Sequence, residues 1–330
     1  MIELEIDVVK GFESFVLHDI EEFKRQGFVF KSFDKWEQEE IEKESEFNTK
    51  SDEEKQSLYN RNLIYEYSNL RQRLISAKPR KIVYAKDFER IPEYETGLQL
   101  VEGKIRNGET LTPHLSRQIL DADSQDGLLF DLGVYHLHLG EREDSRHPGL
   151  IEGREKILYA VFTDDIAFFI CIDSHGRWGD LELLRIIQAE FPQVLEKWEM
   201  KDVTALTFYP TESERVELRK NGINTPIEIN GKYYMSPGGG INTARTSAQG
   251  IFQMNMYYHF YQRIDSQIKE FFEKHKDEIA EKLDVDGKLD FVMTNINPME
   301  FEDKKNNVVL VPTIQENNLK GIFIGKVERK

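Results

Sequence analysis

The chain has 330 residues, 39% of them hydrophobic, which is enough for a sizeable core and for about two domains of ordinary length. Its 60 acidic against 44 basic residues give a net charge of −16. That balance excludes a chain built as a general polyanion binder, because phosphate contacts need clustered Lys and Arg, so a nucleic-acid role requires a local basic patch.

The single cysteine, Cys171, excludes an intrachain disulfide framework and a paired zinc-thiolate site. Within IAFFICID it reads as a small buried hydrophobe. MIELEIDVVKGF has no basic region leading into an apolar one, so no signal peptide is expected. No run reaches the roughly 20 apolar residues of a membrane span. A cytoplasmic protein with no membrane partner is the expectation.

Residues 2–8, IELEIDV, alternate apolar and acidic as a half-buried strand does. A helix follows from about Glu13 to Gln26, with Phe15, Ile20 and Phe23 inward and Gly27 as its stop. FVFKSF (Phe28 to Phe33) reads as a strand. Between Lys35 and Lys78 the chain is charged and free of Gly and Pro. Leu63, Tyr67, Leu70 and Leu74 form one stripe of a long helix there. KIVYAKDF is a further strand.

A middle block from Leu111 to about Trp198 carries the densest patterning. LTPHLSRQIL predicts a helix capped by Thr112 with Pro113 in its first turn. LLFDLGVYHLHLG predicts a strand in which Gly133 introduces a bulge. KILYAVF and IAFFICID predict a hairpin around Thr163-Asp164-Asp165. A helix from Asp180 to Phe191 follows, closed by Pro192.

The last third begins with a strand, TALTFYP, and a helix, ESERVELRKNG. In EINGKYYM, Asn230-Gly231 signals a type I′ turn. A helix then runs from Ile251 to about Leu283, lined on one side by Tyr257, Tyr261, Ile264, Ile268, Phe271, His275 and Ile279. At 1.5 Å per residue it is about 50 Å long and needs a surface of similar reach, within the chain or from a second subunit. LDFVMTNI, VVLVPTI and GIFIGKV are closing strands.

The expected fold is α+β, with mixed or antiparallel sheets, two long helices and a central helix-strand-hairpin-helix unit. Its expected organisation is three consecutive regions, residues 1–110, 111–200 and 201–330.

His136 and His138 lie two apart on the histidine strand and so share one face. His147, Arg154 and His175 fall within the same 40-residue window, which holds half of the chain's eight histidines. Three chemistries fit. The pair and a third group (His175, His147 or Glu143) can hold a divalent metal such as Zn. The histidines can move protons as general acid and base, with Arg154 or Arg177 supporting a phosphate or oxyanion. Or the imidazoles are structural, satisfied by backbone or carboxylate partners.

The segment GETLTPHLSRQILDADSQDGLLFDLGVYHLHLG, followed by ILYAVFTDDIAFFICIDSHGRWGDLELLRII, resembles a family of uncharacterised bacterial proteins with the pattern D-x-G-[IV]-x-H-x-H-L-G. More distantly, its helix, strand, R-x-x-x-L-Y-A hairpin and helix are similar to the small ribonuclease fold of RelE-type toxins. That resemblance implies a metal-independent ribonuclease with no cofactor, acting on RNA in a toxin or phage-defence role. His136, His138, Arg154 and His175 are the catalytic candidates it suggests. The alternative is a non-catalytic protein that binds a second copy or another protein through its long helices.

Two further stretches admit two readings each. SPGGGINTARTSAQG places Gly238, Gly239 and Gly240 before a helix, either as an anion cradle assisted by Arg245 or as a connection capped by Thr246 or Ser247. MNMYYHFYQR offers aromatic rings for base stacking, and a buried amphipathic helix explains it as well.

Overall fold

A computed structural model describes residues 2–176, 181–284, 287–314 and 322–329, with the backbone alone for Ile2, Ser45, 313–314 and 322–329. It has the α+β class expected, with mixed sheets and two long helices.

After β1 (Ile2–Ile6), helix α1 (Val8–Arg25) starts ahead of the expected Glu13, because the Asp7 carboxylate accepts from the Lys10 amide and caps it. FVFKSF forms no strand. Val29 makes one isolated bridge to Asp121, and Ser32 caps α2 (Phe33–Lys43). The charged stretch divides into α2, a 3-10 turn and α3 (Asp52–Arg73). Strand β2 (Lys81–Tyr84) and helix α4 (Glu95–Asn107) come next.

LTPHLSRQIL makes two 3-10 turns, Thr112–His114 and Arg117–Leu120, instead of a helix. Leu115 is extended between them, and Ser116 restarts the chain by accepting from the Gln118 amide. The first half of the expected histidine strand is helix α5 (Gly127–Leu132), capped by Asp126 and ended by Gly133 at φ 70°. Gly133 is therefore a helix cap, not a bulge, and only β3 (Tyr135–His138) is extended.

Strands β4 (Lys156–Phe162) and β5 (Ile166–Ser174) form the expected hairpin. Helix α6 (Glu182–Glu190) follows; its expected start at Asp180, and Arg177, lie outside the described residues. TALTFYP is irregular, because the outer edge of the next hairpin is already taken by Trp198–Met200, which exchange backbone hydrogen bonds with Tyr233 and Met235. Helix α7 (Glu212–Lys220) opens with a reciprocal Thr211–Glu214 cap. The hairpin of β6 (Ile227–Ile229) and β7 (Lys232–Tyr234) turns on Asn230 and Gly231, both at positive φ as a type I′ turn demands. Helix α8 (Ala248–Leu283) precedes β8 (Gly287–Ile296), β9 (Met299–Asp303), β10 (Val308–Ile314) and β11 (Ile322–Arg329).

The chain divides into two compact units, and not into the three consecutive regions expected. The first comprises Met1–Gln26, Ser32–Tyr65 and Gln253–Lys330. Its sheet has the order β1-β8-β9-β10-β11, with β1 parallel to β8 and the rest antiparallel. Phe12 of α1 stacks on Tyr261 of α8 at 4.4 Å, and Phe272 meets Phe291 of β8 at 5.9 Å. The buried stripe of α8 runs through Tyr258, Tyr261, Ile264, Ile268, Phe272 and Ile279. It is rotated from the expected one because the Tyr258 hydroxyl turns inward to donate to Glu13, which leaves Tyr257 exposed. MNMYYHFYQR thus supplies core, as an amphipathic helix does.

The second unit, Gly27–Lys31 with Glu66–Phe252, holds a four-stranded sheet of order β2-β5-β4-β3 and the β6-β7 hairpin. On one face Ile157, Tyr159, Val161, Phe168 and Ile170 pack against Leu183, Leu184 and Ile187 of α6. β3 is the edge strand, in register with β4 so that His136 opposes Tyr159 and His138 opposes Ile157. Both histidines therefore stand on the α6 face, beyond the end of its apolar core. Among the described residues no helix is long and apolar enough to cross a membrane.

Candidate functional site

The strand alternation that gives His136 and His138 one face also brings His175 to it. Ile157, opposite His138 on β4, pairs in turn with Asp173 on β5, and His175 lies two residues further along that strand's direction. The His138 and His175 rings sit 5.4 Å apart between centroids, and those of His136 and His138 6.5 Å. His175 is fixed by a 3.0 Å bond between its Nδ1 and the Glu155 carbonyl. A carbonyl only accepts, so Nδ1 carries the proton and Nε2 is left for chemistry.

Burial is the main influence on the two strand imidazoles. It pushes His138 down to about 4, helped by His136, His175 and His114 nearby. His136 is lowered by burial too, while Asp126 opposes that shift and His175 adds to it. Its Nδ1 lies 3.9 Å from Asp126 Oδ2. Asp126 also caps α5 through the Leu129 amide at 3.0 Å, so the residue that starts the helix sets the charge beside His136. Both strand imidazoles are neutral at pH 7, the form that accepts a proton.

His114 supports the strand end. It is fully buried, and its Nδ1 donates to the His138 carbonyl at 2.9 Å. The 3-10 turn that replaces the expected helix makes this contact possible. The same turn holds the loop after β3, since Pro113 accepts from the Ile151 amide at 2.7 Å.

The three histidines open into one cavity of about 730 Å³, within the range of ligand-binding clefts. Five cationic side chains, Arg117, Arg146, Arg219, Lys220 and Arg245, line it against two carboxylates, Asp126 and Asp144. An acidic chain thus concentrates positive charge around its histidines. Arg219 comes from a buried group in which Asp131 sits 3.5 Å from it, 3.8 Å from Arg215 and accepts from Ser236 at 2.9 Å. Two guanidinium groups against one carboxylate leave that group cationic. Arg219 also donates to the Gly127 carbonyl at 2.6 Å.

Of the catalytic candidates, His136, His138 and His175 are brought together and Arg154 is not. Arg154 does not line the cavity. Its guanidinium bonds the Glu93 carbonyl and carboxylate at 3.0 Å, lies 3.6 Å from Glu141 and covers the Tyr94 ring. For the metal alternative, Glu143 is engaged by the Gly149 amide and His147 faces Asp144 at 3.6 Å. Among the described residues no three His, Cys, Asp or Glu side chains form a metal-holding group.

The glycine run is a packing device. The amides of Gly238, Gly239 and Gly240 are spent on the carbonyls of Asp131, Ser236 and Phe130, so none is free to cradle an anion. Gly238 lies so close to α5 that a Cβ there would sit 1.8 Å from the Leu129 carbonyl oxygen. Ser247, not Thr246, caps α8 by accepting from the Gly250 amide at 3.1 Å.

Sequence reasoning missed Asp126, Arg117, Arg146, Arg219 and Lys220. Asp126 had a signal, an Asp ahead of an apolar run and three residues before the amide it caps; the cations had none. No family model, curated protein or solved structure matches this chain.

Proposed function

We propose that the protein cleaves RNA without a metal ion, using its histidines for proton transfer. The observation that carries this reading is the convergence of three imidazoles and five cationic side chains on one cavity in a chain of net charge −16. A neutral His138 takes the proton of a ribose 2′-hydroxyl, and the 2′-oxygen attacks the adjacent phosphorus. The bond from phosphorus to the 5′-oxygen breaks, and that oxygen takes a proton from His136, which is neutral in the free protein and takes up a proton from solvent when the anionic phosphate docks beside it and Asp126. The products are a 2′,3′-cyclic phosphate and a free 5′-hydroxyl. Charge on the phosphorane is met by the cavity's arginines, the role that the resemblance to RelE-type toxins assigned to Arg154.

On that resemblance, the activity belongs to a toxin or phage-defence protein, and induced expression is expected to arrest growth with fragmentation of cellular RNA. The direct test is incubation of purified protein with labelled RNA in EDTA, beside the His136→Ala/His138→Ala variant. Cleavage by the wild type and none by the variant is expected, with DNA left intact. Intact RNA in the wild-type lane refutes the proposal.

A further inference from the structure

Among the cations of the cavity, Arg117 and Arg245 differ from the other three. Arg146 lies 3.8 Å from Asp144, Lys220 3.3 Å from Glu217, and Arg219 is tied to Gly127 and Asp131. Neither Arg117 nor Arg245 has a hydrogen-bond or ion-pair partner for its side chain among the described residues. Both side chains are exposed, and among the described residues no carboxylate holds them, so two guanidinium groups stand open to an anion on one cavity.

The backbone at Arg245 supports this. Its φ is 65°, in the left-handed region that Gly or Asn occupies far more readily than Arg. The turn holding it is over-determined. The Asn242 amide donates to the Thr246 carbonyl at 3.0 Å, and the Thr246 amide donates to the Asn242 side chain at 3.1 Å. The Asn242 side-chain amide donates to the Thr246 hydroxyl at 2.7 Å, and the Arg245 amide to the Asn242 carbonyl at 2.8 Å. A strained residue gripped this firmly and carrying an unpaired guanidinium into a cavity is the pattern of a ligand contact.

Among the described residues the only rings on the cavity are the imidazoles of His136, His138 and His175, and its other charged side chains are mostly cations. Its positive charge comes from well-separated segments: the 3-10 turn at Arg117, the loop at Arg146, the end of α7 and the turn at Arg245.

We propose that Arg117 and Arg245 bind backbone phosphates flanking the one at the histidines, so that the substrate is a single-stranded polynucleotide gripped by its sugar-phosphate chain. This deepens the ribonuclease reading and rests on it for the identity of the central phosphate.

The test is equilibrium binding of a fluorescent oligodeoxynucleotide, which lacks the 2′-hydroxyl and reports binding without cleavage. Wild-type protein is expected to bind the strand, with an affinity that falls as salt is raised. Arg117→Gln and Arg245→Gly are each expected to weaken binding about three- to tenfold and to lower the salt slope by about one. Arg245→Gly relieves the left-handed strain, so its Tm is expected to equal or exceed that of the wild type while its affinity falls. Lack of strand binding by the wild type overturns the proposal, as does an unchanged affinity in both variants. RNA that stays intact while Arg-dependent strand binding persists removes the ribonuclease reading and leaves the phosphate subsite standing.

Discussion

His138 lies on β3 and His175 directly after the end of β5, with β4 between the two strands, yet their rings lie 5.4 Å apart on one face of the sheet. His175 is one of the groups that hold His138 at about 4. Replacing His175 by Gln is therefore expected to raise the titration midpoint of His138, read from its imidazole proton shifts. Because proton transfer falls to His136 and His138, cleavage of RNA is expected to fall by less than the factor of about 10² to 10⁴ seen for lost proton-transfer groups. A midpoint that does not move contradicts the coupling.

The neutral histidines make folding sensitive to acid. His138 takes up its proton near 6.5 when unfolded and only near 4 when folded, so the unfolded state binds more protons between those values. Stability is fully present above about pH 6.5, declines as pH falls, and levels off below about pH 4. The contribution is at most of order 3 kcal/mol for this residue. Urea titrations at a series of pH values are expected to trace that decline, and a His138→Gln variant to flatten it.

Asp126 has two duties that a pair of variants separates. Asn caps helices as well as Asp does, so Asp126→Asn is expected to keep stability while removing the carboxylate beside His136. His136 then titrates lower still, since Asp126 is the group that raises it. Asp126→Ala loses the cap as well, at a cost of about 1 kcal/mol. Thermal denaturation and imidazole titration of both variants read the two effects apart.

Arg154 is expected to be dispensable for cleavage, because its guanidinium is directed at Glu93 and Glu141 and not at the cavity. Arg154→Ala is expected to cut RNA at the wild-type rate and to lose no more than about 1 kcal/mol of stability, as a partly exposed pair does. A large fall in the cleavage rate with intact stability restores Arg154 to the site.

Gly238→Ala places a Cβ into the backbone of α5 and must move either the helix or the turn. A loss of about 1–3 kcal/mol or more is expected from chemical denaturation. Because α5 carries Asp126 at its start, the variant is also expected to disturb the titration of His136.

The parts of the molecule legible from sequence are those set by local rules. The hairpin around Thr163-Asp164-Asp165, the Asn230-Gly231 turn and the shared face of His136 and His138 follow from alternation and turn chemistry alone. The arrival of His175 beside them follows from the same register. What stayed hidden depends on distant partners. Arg154 lies close to the histidines in sequence, but Glu93 decides where it points. FVFKSF has strand-like residues, yet its one ladder contact is the isolated bridge of Val29 to Asp121. Arg117, Arg219 and Lys220 are ordinary charged residues until the fold gathers their segments around one cavity.

The pairing of β1 with β8 carries a consequence for synthesis. Ile2–Ile6 are made before the rest of the described chain but take their parallel partner from Gly287–Phe291, so the sheet of the first unit stays open until almost the whole described chain has been made. The second unit, drawn almost entirely from Glu66–Phe252, is complete in sequence by then. The histidine cavity is thus assembled while the early strand still waits with an unpaired edge, a stage at which chaperones have something to hold. Pairing across so great a separation also slows closure of that sheet, so the residues of the histidine cavity are all made before the last strands of the first unit are in place.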